Sequence, residues 1–524
     1  MPSLPSSPPN LQVPHRLDSA GDSDVYSELS DYFENEAFKE LHVSSGRNRA
    51  QPDSGALDAV QATKRLLNLF RLHAGEPASD VDPRTYYDRL LSTILRQTYM
   101  IHECTINKPL LRLPCEPALF NPARRQEALF TGESDGCIYQ VKLVDSDDEA
   151  PLRSKVKVYL PPVPSTSTSN GQPGRTEVKG SFPYAIAAII VNVELDRLIV
   201  IQGELSATRI HVLTLMNCQR ITTIQTEEST ITHFIKHAEL RGNRIAVSFV
   251  GHNETNMHIT FFDIDRPSEI QTVTGCEPRS VYPFQFISPD SVLISRVQNE
   301  VILRDLRNGM DARVQVPWPT FGDIQPSFMD FVPNSAPCSI HHVGDKVPFI
   351  PNPQENLVGF RLVWTTTPTP MASAITKREK FLFASLGEML RGGIYHHYDV
   401  TRTTAAWPKI YGRRIYWIEQ GESGVPTLNL QTCIQGTALM SRRIFLGSSA
   451  APTQNVAVAP VWEQAELVED QKTLSTRTTL LPRADSDLSR FRILTIQVTS
   501  QWICLLVMRH RVAGDAWGIQ YLAL

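Results

Sequence analysis

The stretch LIVIQGELSATRIHVLTL, residues 198–215, decides the fold class of this 524-residue chain. Two runs of aliphatic and β-branched residues flank a glycine and a short polar turn, a pattern typical of a β-hairpin. Three further stretches repeat this order, at residues 129–143, 245–264 and 415–431. A tight hairpin needs a positive φ that side chains disfavour. We therefore expect it at the recurring glycines, Gly132, Gly203, Gly251 and Gly421.

Three more hairpins have the glycine displaced or missing, at residues 291–309, 360–386 and 502–522, which brings the number to seven. The turns are 48 residues apart from 203 to 251 and 47 from 251 to 298, close to the roughly 40 to 50 residues of a four-stranded propeller blade. Further strands usually precede and follow each hairpin. The sequence thus predicts a mainly-β chain in which residues 108–524 form a β-propeller of seven blades, within a range of six to eight.

Two segments outside the hairpins also allow structural predictions. The last unit supplies three strands, and KPLLRLP, Lys108–Pro114, is the nearest candidate for the fourth. Such a pairing would remove an exposed edge and close the ring. The polar segment 161–182 is rich in Ser, Thr, Pro and Gly. We expect it to be a protruding loop that proteases cut first, at Arg175 or Lys179.

The segment from Gly132 to Gly136 matches G-x-S-x-G, the pattern that presents a nucleophilic serine in many hydrolases. A nucleophile elbow requires a helix after the turn, but Gly136 is followed by CIYQVKLV, an alternating strand pattern. The sequence places Ser134 in a hairpin turn and predicts that the chain is not an enzyme. An active site assembled in the propeller channel from distant residues stays open as an alternative.

The region before the hairpins has a different character. Residues 1–24 are rich in Pro and Ser, and we expect them to be disordered. Residues 25–105 are predicted to be helical, with one helix in 54–73 and another beginning at Asp82, an N-cap followed by Pro83. Two or three helices are expected there.

The amino-acid composition limits the classes of partner that we expect the chain to bind. Hydrophobic residues make up 41% and charged residues 20% of the chain, and the formal net charge is -4. These values indicate a soluble globular protein without a general preference for nucleic acid or anionic membranes. The opening residues lack a signal-peptide core, and the most apolar segment is interrupted by charges. We expect a cytoplasmic or nuclear protein that spans no membrane and binds no nucleic acid directly.

Candidate metal and ligand residues favour structural roles. The eight cysteines are scattered, and one cluster holds metal-capable groups within eight residues, Cys338, His341, His342 and Asp345. Zinc sites usually need two well-spaced pairs, so we expect loop residues there and neither metal nor cofactor. Strand alternation separates the side chains of His396 and His397. Trp364 and Trp417 are predicted to pack between blades.

The hairpins resemble those of WD-repeat proteins. The resemblance rests on Ser134-Asp135-Gly136 before Cys137-Ile138-Tyr139, on Val301 to Gly309, and on Phe261-Phe262-Asp263-Ile264-Asp265. The tryptophan that closes the family's third strand is replaced by Arg304 and Phe262, and no Gly-His dipeptide recurs at the blade starts. The resemblance implies a degenerate WD-repeat-type propeller that acts in protein–protein interaction.

Helices before a degenerate propeller are also similar to fungal F-box proteins, in which the helices join a ubiquitin-ligase scaffold and the propeller takes the substrate. The Leu-Pro-x-Glu opening of that box is not visible in residues 25–105. A substrate-recognition adaptor that binds ubiquitin-ligase scaffold subunits is thus an alternative to a simple scaffold.

Acidic residues cluster at the hairpin turns. If each turn joins the second and third strands of a blade, all of them emerge on one face of the propeller. Two bases, Arg296 and Arg511, lie among seven acids, Glu133, Asp135, Glu204, Glu254, Glu300, Glu422 and Asp515. We expect these acids to bind a basic protein or peptide, with the propeller as a non-catalytic scaffold.

Overall fold

The protein is described from a computed structural model. The structure describes residues 72–74, 82, 85–87, 90, 111–112, 129–134, 137–144, 153–161, 177–203, 207–226, 233–316, 318, 325–336, 349–351, 356–366, 376–390, 396–398, 408–420, 426–434, 437–445, 478–481, 492–498, 502–509 and 516–523. The single positions 194, 252, 254 and 317 are excepted. The described residues belong to a compact unit that spans Ala62–Leu524, whereas Met1–Gln61 form a separate unit.

Nearly all of the described strands fall into consecutive antiparallel sheets of at least four strands. Sheet 1 contains β3 Leu129–Ser134, β4 Cys137–Val144, β5 Arg153–Tyr159 and β6 Glu177–Phe182. Sheet 2 contains β7 Ile186–Asn192, β8 Arg197–Gly203, β9 Thr208–Thr214 and β10 Arg220–Thr226. Sheet 3 contains β11 His233–Arg241, β12 Arg244–Gly251, β13 Met257–Asp263 and β14 Ile270–Cys276. Each is a meander in which neighbours in sequence pair.

The next three follow the same plan. Sheet 4 contains β15 Phe284–Ser288, β16 Ser291–Arg296, β17 Glu300–Asp305 and β18 Met310–Val314. Sheet 5 contains β19 Phe328–Val332, β21 Leu357–Thr366, β22 Thr376–Ser385 and β23 His396–Tyr398. Sheet 6 contains β24 Lys409–Tyr411, β25 Arg414–Gln420, β26 Pro426–Ile434 and β27 Thr437–Phe445. A fifth strand, β28 Thr478–Leu481, pairs with β27 in parallel. A single residue pair, Cys276 with Arg296, joins sheets 3 and 4.

Sheet 7 closes the ring with strands from both ends of the unit. It contains β29 Arg492–Val498, β30 Trp502–Arg509, β31 Ala516–Ala523 and, on the outside, β2 Leu111–Arg112. Leu111 lies opposite Ile519, so the predicted fourth strand from KPLLRLP is confirmed. Ile519 also belongs to a buried cluster with Ile138 and Tyr159 of sheet 1. The first and last sheets therefore pack against each other.

We call the strands of each sheet A to D in their order of pairing. The A strands of neighbouring sheets lie side by side, as β3 with β7, β7 with β11, β15 with β19 and β24 with β29. The described residues of the B strands are largely buried because core clusters fill the spaces between neighbouring sheets. This is the architecture of a β-propeller, with A strands around a channel and D strands outside. The described part contains seven such sheets, while the blade number of seven stays a prediction.

Antiparallel pairing fixes which turns share an end of the ring. A–B and C–D turns emerge at one end of every sheet, and B–C turns emerge at the other. Short D–A connections, such as 183–185 after sheet 1, start each A strand at the B–C end. We name the two ends of the channel the A–B end and the B–C end.

Two details of the hairpin prediction are wrong. Residues 129–143 form an A–B hairpin in sheet 1, whereas the other six stretches form B–C hairpins. Gly203 and Gly251 end strands, and the described glycines with positive φ are Gly242, Gly275, Gly309 and Gly412. At Gly251 the requirement is space, because a Cβ would lie 3.1 Å from Oδ1 of Asn253.

The predicted helical segment is described at few positions. The Asp82 N-cap is confirmed, since its Oδ2 accepts hydrogen bonds from Thr85 N at 3.1 Å and Thr85 Oγ1 at 2.9 Å. Residues 85–87 and 90 are helical. In contrast, Leu72–Ala74, partly within the predicted first helix, form strand β1, which pairs with β20 Phe349–Pro351. This tertiary pairing overrides the local helical pattern. Residues 1–24 lie outside the described segments.

The predicted loop 161–182 is shorter than expected. Its last six residues form β6, which pairs with β5, and Lys179 lies inside this strand beside Glu177 at 2.8 Å. Ladder hydrogen bonds protect such a strand from proteases, so Lys179 is a poor first cutting site. Arg175 lies outside the described residues. Within the described residues, no helix combines the length and apolar character needed to cross a membrane.

Candidate functional site in the ring channel

Strand β11 supplies most of the polar side chains that we identify at the channel. A bulge between Ile235 and His237 inserts Lys236 as an extra residue relative to β12. Ser248 Oγ stabilises the bulge, since it accepts from His237 N at 2.8 Å and donates to His237 O at 3.0 Å. Seven of the first eight positions of β11 are only partly buried. Charged side chains are therefore tolerated on this A strand.

Aromatic rings hold the imidazole of His237. Its ring centroid lies 4.9 Å from the Tyr282 ring, edge-on, and 4.9 Å from the Phe284 ring. Lys409 Nζ of sheet 6 lies 5.4 Å from the centroid of the Tyr282 ring, within cation–π range. Tyr282 thus contacts both the A strand of sheet 3 and the A strand of sheet 6.

Glu239 forms an ionic cluster with its neighbours on β11. Arg241 Nε lies 2.7 Å from Oε1 of Glu239, and His237 Nε2 lies 3.7 Å from Oε2. Burial alone raises the pKa of Glu239, but the Arg241 guanidinium and the nearby His237 outweigh it and hold the pKa below its ordinary value. The Glu239 carboxylate is therefore ionised at neutral pH. We call Lys236, His237, Glu239, Arg241, Tyr282 and Lys409 the channel cluster.

A segment after β19 bonds to several other sheets at the A–B end. The Arg241 guanidinium donates to the carbonyl oxygens of Asn334 and Ser335. Ser335 Oγ donates to Val498 O, the last residue of β29, at 2.7 Å. We call residues 333–336 the channel floor.

Asn334 fixes the floor to sheets 5 and 6. Its Nδ2 donates to Leu357 O at 3.1 Å, and its Oδ1 accepts from Gly412 N at 3.1 Å. Asn334 also forms a parallel bridge with Ile410 of β24. These bonds join residues 333–336 to sheets 3, 5, 6 and 7 at the A–B end.

The channel cluster can recognise a ligand by charge and hydrogen bonds. It combines a carboxylate, a guanidinium, two amines, an imidazole and a phenol. The ionised Glu239 cannot donate a proton at neutral pH. The cluster contains no serine, threonine or cysteine nucleophile. In the described part of the chain, no group of three or more His, Cys, Asp or Glu residues could hold a metal ion.

The structure describes two of the seven acids predicted to share one face, Glu133 and Glu300. Glu133 lies near the end of β3, at the opposite end of the sheets from the B–C turns, and Asp135 lies outside the described residues. The single-face prediction is therefore wrong for Glu133, because the hairpin pattern is the same for either strand pair. Four others lie outside the described residues, between B and C strands, Glu204, Glu254, Glu422 and Asp515.

Glu300 is the predicted acid whose side chain is described. It begins β17 directly after the turn Val297–Asn299, at the B–C end as predicted. Its Oε1 lies 3.3 Å from Arg313 Nε, and Arg296 is its partner across the hairpin. Two bases therefore reduce its contribution to a negative surface.

Other candidates have mixed outcomes. Ser134 is the last residue of β3, and β4 begins after two intervening residues, so the strand–turn–strand prediction is confirmed. Trp364 and Trp417 are each 4% exposed and pack between sheets 4 and 5 and between sheets 5 and 6, which confirms their packing role. The loop cluster Cys338, His341, His342 and Asp345 lies outside the described residues.

Sequence reasoning missed the channel cluster. The available signal was HFIKHAELR, an A strand with five titratable residues, whereas the A strand of sheet 2, IAAIIVN, has none. Tyr282 and Lys409 had no such signal, since each is a single residue in a different sheet.

No family model matches the chain, and no curated protein matches it. Solved structures with similar folds include the β-propeller domain of the Trilobed protease from Pyrococcus furiosus, with 8% identity, a TM-score of 0.39 and coverage of 75% of this chain and 93% of that one. The acylaminoacyl peptidase of Pyrococcus horikoshii has 10% identity, a TM-score of 0.38 and coverage of 74% and 50%. The C-terminal WD40 domain of Sif2 has 7% identity, a TM-score of 0.33 and coverage of 79% and 97%. Likeness at this level carries no argument about what this chain does.

Proposed function

We propose that this chain is a non-catalytic propeller scaffold that binds a protein or peptide segment at the B–C end of its channel. One observation carries the proposal: the channel floor, residues 333–336, bonds to sheets 3, 5, 6 and 7 at the A–B end. We infer from it that a ligand reaches the channel cluster from the B–C end. Propeller scaffolds present such an end as one surface built from every blade. The channel cluster then supplies polar groups for recognition, and the turns around it supply the rim.

The rim favours a basic partner. After removal of Glu133 and Asp135, five acids remain in the B–C turns against two bases, Arg296 and Arg511. Charge at exposed turns speeds encounter and selects partners more than it adds affinity. A segment rich in Lys and Arg is therefore the expected partner.

A triple charge reversal tests the rim. We expect Glu204→Lys, Glu254→Lys and Glu422→Lys together to abolish capture of a Lys/Arg-rich peptide library and to flatten the salt dependence of binding. Glu133→Lys is the matched control, because it reverses an acid at the A–B end and should leave capture unchanged. Retention of every low-salt partner by the triple variant, or equal loss in the control, would contradict the proposal.

A second candidate function is an enzyme with its site in the channel. The gathering of titratable side chains in the channel cluster favours it, because perturbed ionisable groups in a recess often mark catalytic sites. Intact-mass analysis of peptides after incubation with the protein separates the two functions. Peptides that change in mass with wild type but not with His237→Gln would support the enzyme, and peptides that bind unchanged would support the scaffold.

The adaptor alternative depends on residues 25–105. Affinity purification of the full chain and of residues 62–524 tests it, since 62–524 is a compact unit. Loss of ubiquitin-ligase scaffold subunits from the shorter chain would support the adaptor. A cut after residue 105 would be a poor comparison, because it removes β1 and the buried Leu90.

A further inference from the structure

Large apolar side chains that stay exposed are unevenly distributed among the described residues. Five of the seven lie in or beside C–D connections, at the A–B end, Met216, Ile221, Ile270, Met310 and Leu390. The other two, Val281 and Val297, are 38% and 47% exposed. Val281 lies in the D–A connection before β15, and Val297 lies in the B–C turn of sheet 4. Both valines are therefore at the B–C end, where we propose that a ligand binds.

Arg279 lies beside these two valines. Its Nη2 donates to Ser327 O, just before β19. Asn299, in the same turn as Val297, donates from Nδ2 to the preceding carbonyl, Pro326 O, at 2.6 Å. The connection that carries Arg279 and Val281 and the turn that carries Val297 thus meet at one short segment. We call Arg279, Val281 and Val297 the sheet 4 platform.

The guanidinium of Arg279 is fixed on one face and along part of its edge. Its Nε donates to Glu277 Oε1 at 2.8 Å and its Nη2 to Oε2 at 3.4 Å, and Glu277 is 4% exposed. Its Cζ lies 5.3 Å from the centroid of the Phe328 ring. The Arg279 side chain is nevertheless 55% exposed. The face opposite Phe328 is therefore open to solvent.

Buried partners also hold the two valines in place. The carboxylate of Asp330, which is 0% exposed, accepts from Val281 N. In the turn that carries Val297, Gln298 and Asn299 have φ of 64° and 58°, a conformation that non-glycine residues keep only where their surroundings hold it. Trp318 Nε1 supplies such a hold, since it donates to Asn299 O at 3.0 Å. A surface ordered in advance loses little conformational entropy when a ligand binds.

The platform selects against a second carboxylate. Two of the three Arg279 nitrogens are already used, and Glu277 balances the charge. The open guanidinium face instead complements the negative face of an aromatic ring, which attracts cations. Val281 and Val297 supply apolar contact for the edge of such a ring.

We infer that the sheet 4 platform binds an aromatic side chain of the partner, Trp, Tyr or Phe, stacked on the open face of Arg279. Rigid arginine and apolar residues that receive an aromatic anchor are typical of binding hot spots. The inference rests on the proposed function, because it names a second feature of the segment that binds at the B–C end. That segment then carries an aromatic residue among its lysines and arginines.

Saturation-transfer difference NMR of the full chain with N-acetyl-tryptophanamide tests the inference. We expect saturation transfer to the indole ring and weaker transfer to N-acetyl-leucinamide. Arg279→Lys keeps a cation for Glu277 but removes the planar face, so the Kd for the tryptophan probe should rise by about two- to fivefold. Val297→Ser removes apolar contact without touching Glu277 and should raise the Kd in the same direction.

Two matched controls lie at the A–B end. Arg266→Lys changes an exposed arginine that pairs with Glu269, and Ile270→Ser changes an exposed apolar residue, so both should leave the Kd unchanged. No saturation transfer, an unchanged Kd in both platform variants, or an equal rise in the controls would overturn the inference. The probe is uncharged, so this measurement does not depend on the acidic rim. Capture of Lys/Arg-rich peptides can therefore fail while probe binding persists, and the reverse.

Discussion

At the scale of single residues, Asp330 and Arg361 form the most deeply buried ion pair described. Asp330 is 0% exposed, and its Oδ1 accepts hydrogen bonds from Ser280 Oγ at 2.7 Å and Tyr282 N at 3.2 Å. Its Oδ2 accepts from Arg361 at 2.9 Å, and Arg361 also pairs with Glu379. The network fastens the connection between sheets 3 and 4 to sheet 5.

We predict that Arg361→Met destabilises the protein by about 3–5 kcal/mol, because it leaves the Asp330 carboxylate buried without a counter-ion. Urea unfolding followed by tryptophan fluorescence measures the change. Arg266→Met, which breaks the exposed pair with Glu269, is the control and should change stability by less than about 0.5 kcal/mol. A loss below about 1 kcal/mol for Arg361→Met would mean that the carboxylate finds other partners.

His211 makes the stability of the fold depend on pH. Its Nε2 lies 2.8 Å from Gln202 Oε1, and its ring stacks on Tyr184 at 4.8 Å. Burial, with the charges of Arg220 and Arg209, lowers the pKa of His211 from 6.5 to about 4. The unfolded chain therefore binds this proton more tightly than the folded chain, so stability falls as pH drops through the window from 6.5 to 4.

We predict that His211→Gln reduces the pH dependence of stability between pH 6.5 and 4, by up to about 1.4 kcal/mol per pH unit. Urea midpoints of wild type and variant across this range provide the comparison. The slope is the readout, so a general loss of stability in the variant does not interfere. Parallel curves would show that His211 titrates normally in the folded protein.

At the scale of elements, ring closure depends on β31. This strand pairs with β30 on one side and with β2 on the other, and it carries the buried Ile519. We predict that deletion of residues 515–524 unfolds the propeller cooperatively, because it separates β2 from sheet 7 and removes part of the core between sheets 7 and 1. Thermal unfolding by circular dichroism measures this. Melting identical to that of the full chain would be inconsistent with closure by these strands.

Elements of local origin were predicted well from the sequence. All seven hairpin stretches form hairpins, and further strands precede or follow them as predicted, such as β7, β15 and β10. The prediction was wrong where the same sequence pattern fits two positions of a hairpin within a sheet. An A–B and a B–C hairpin have the same alternation and turn, so the sequence of residues 129–143 could not show which pair it forms.

At the scale of the whole molecule, the compact unit Ala62–Leu524 contains every described strand. We predict that residues 62–524 melt within about 2 °C of the full chain, since a compact unit folds on its own core. Residues 106–524 should melt lower, because they lack β1 and the buried Leu90. Differential scanning calorimetry distinguishes these outcomes, and a large drop for residues 62–524 would show that Met1–Gln61 stabilise the ring.

The sequence by itself determined the fold class, the hairpins and the strand that closes the ring. Alternation and turn residues are properties of neighbours along the chain, so they can be read without the rest of the molecule. Only the tertiary structure decided which turns share an end of the ring and that β1 is a strand. It alone also gathered the channel cluster and joined residues 333–336 to four sheets. These features depend on contacts between distant sheets, such as His237 with Tyr282 and Ser335 with Val498, and local periodicity carries no record of such contacts.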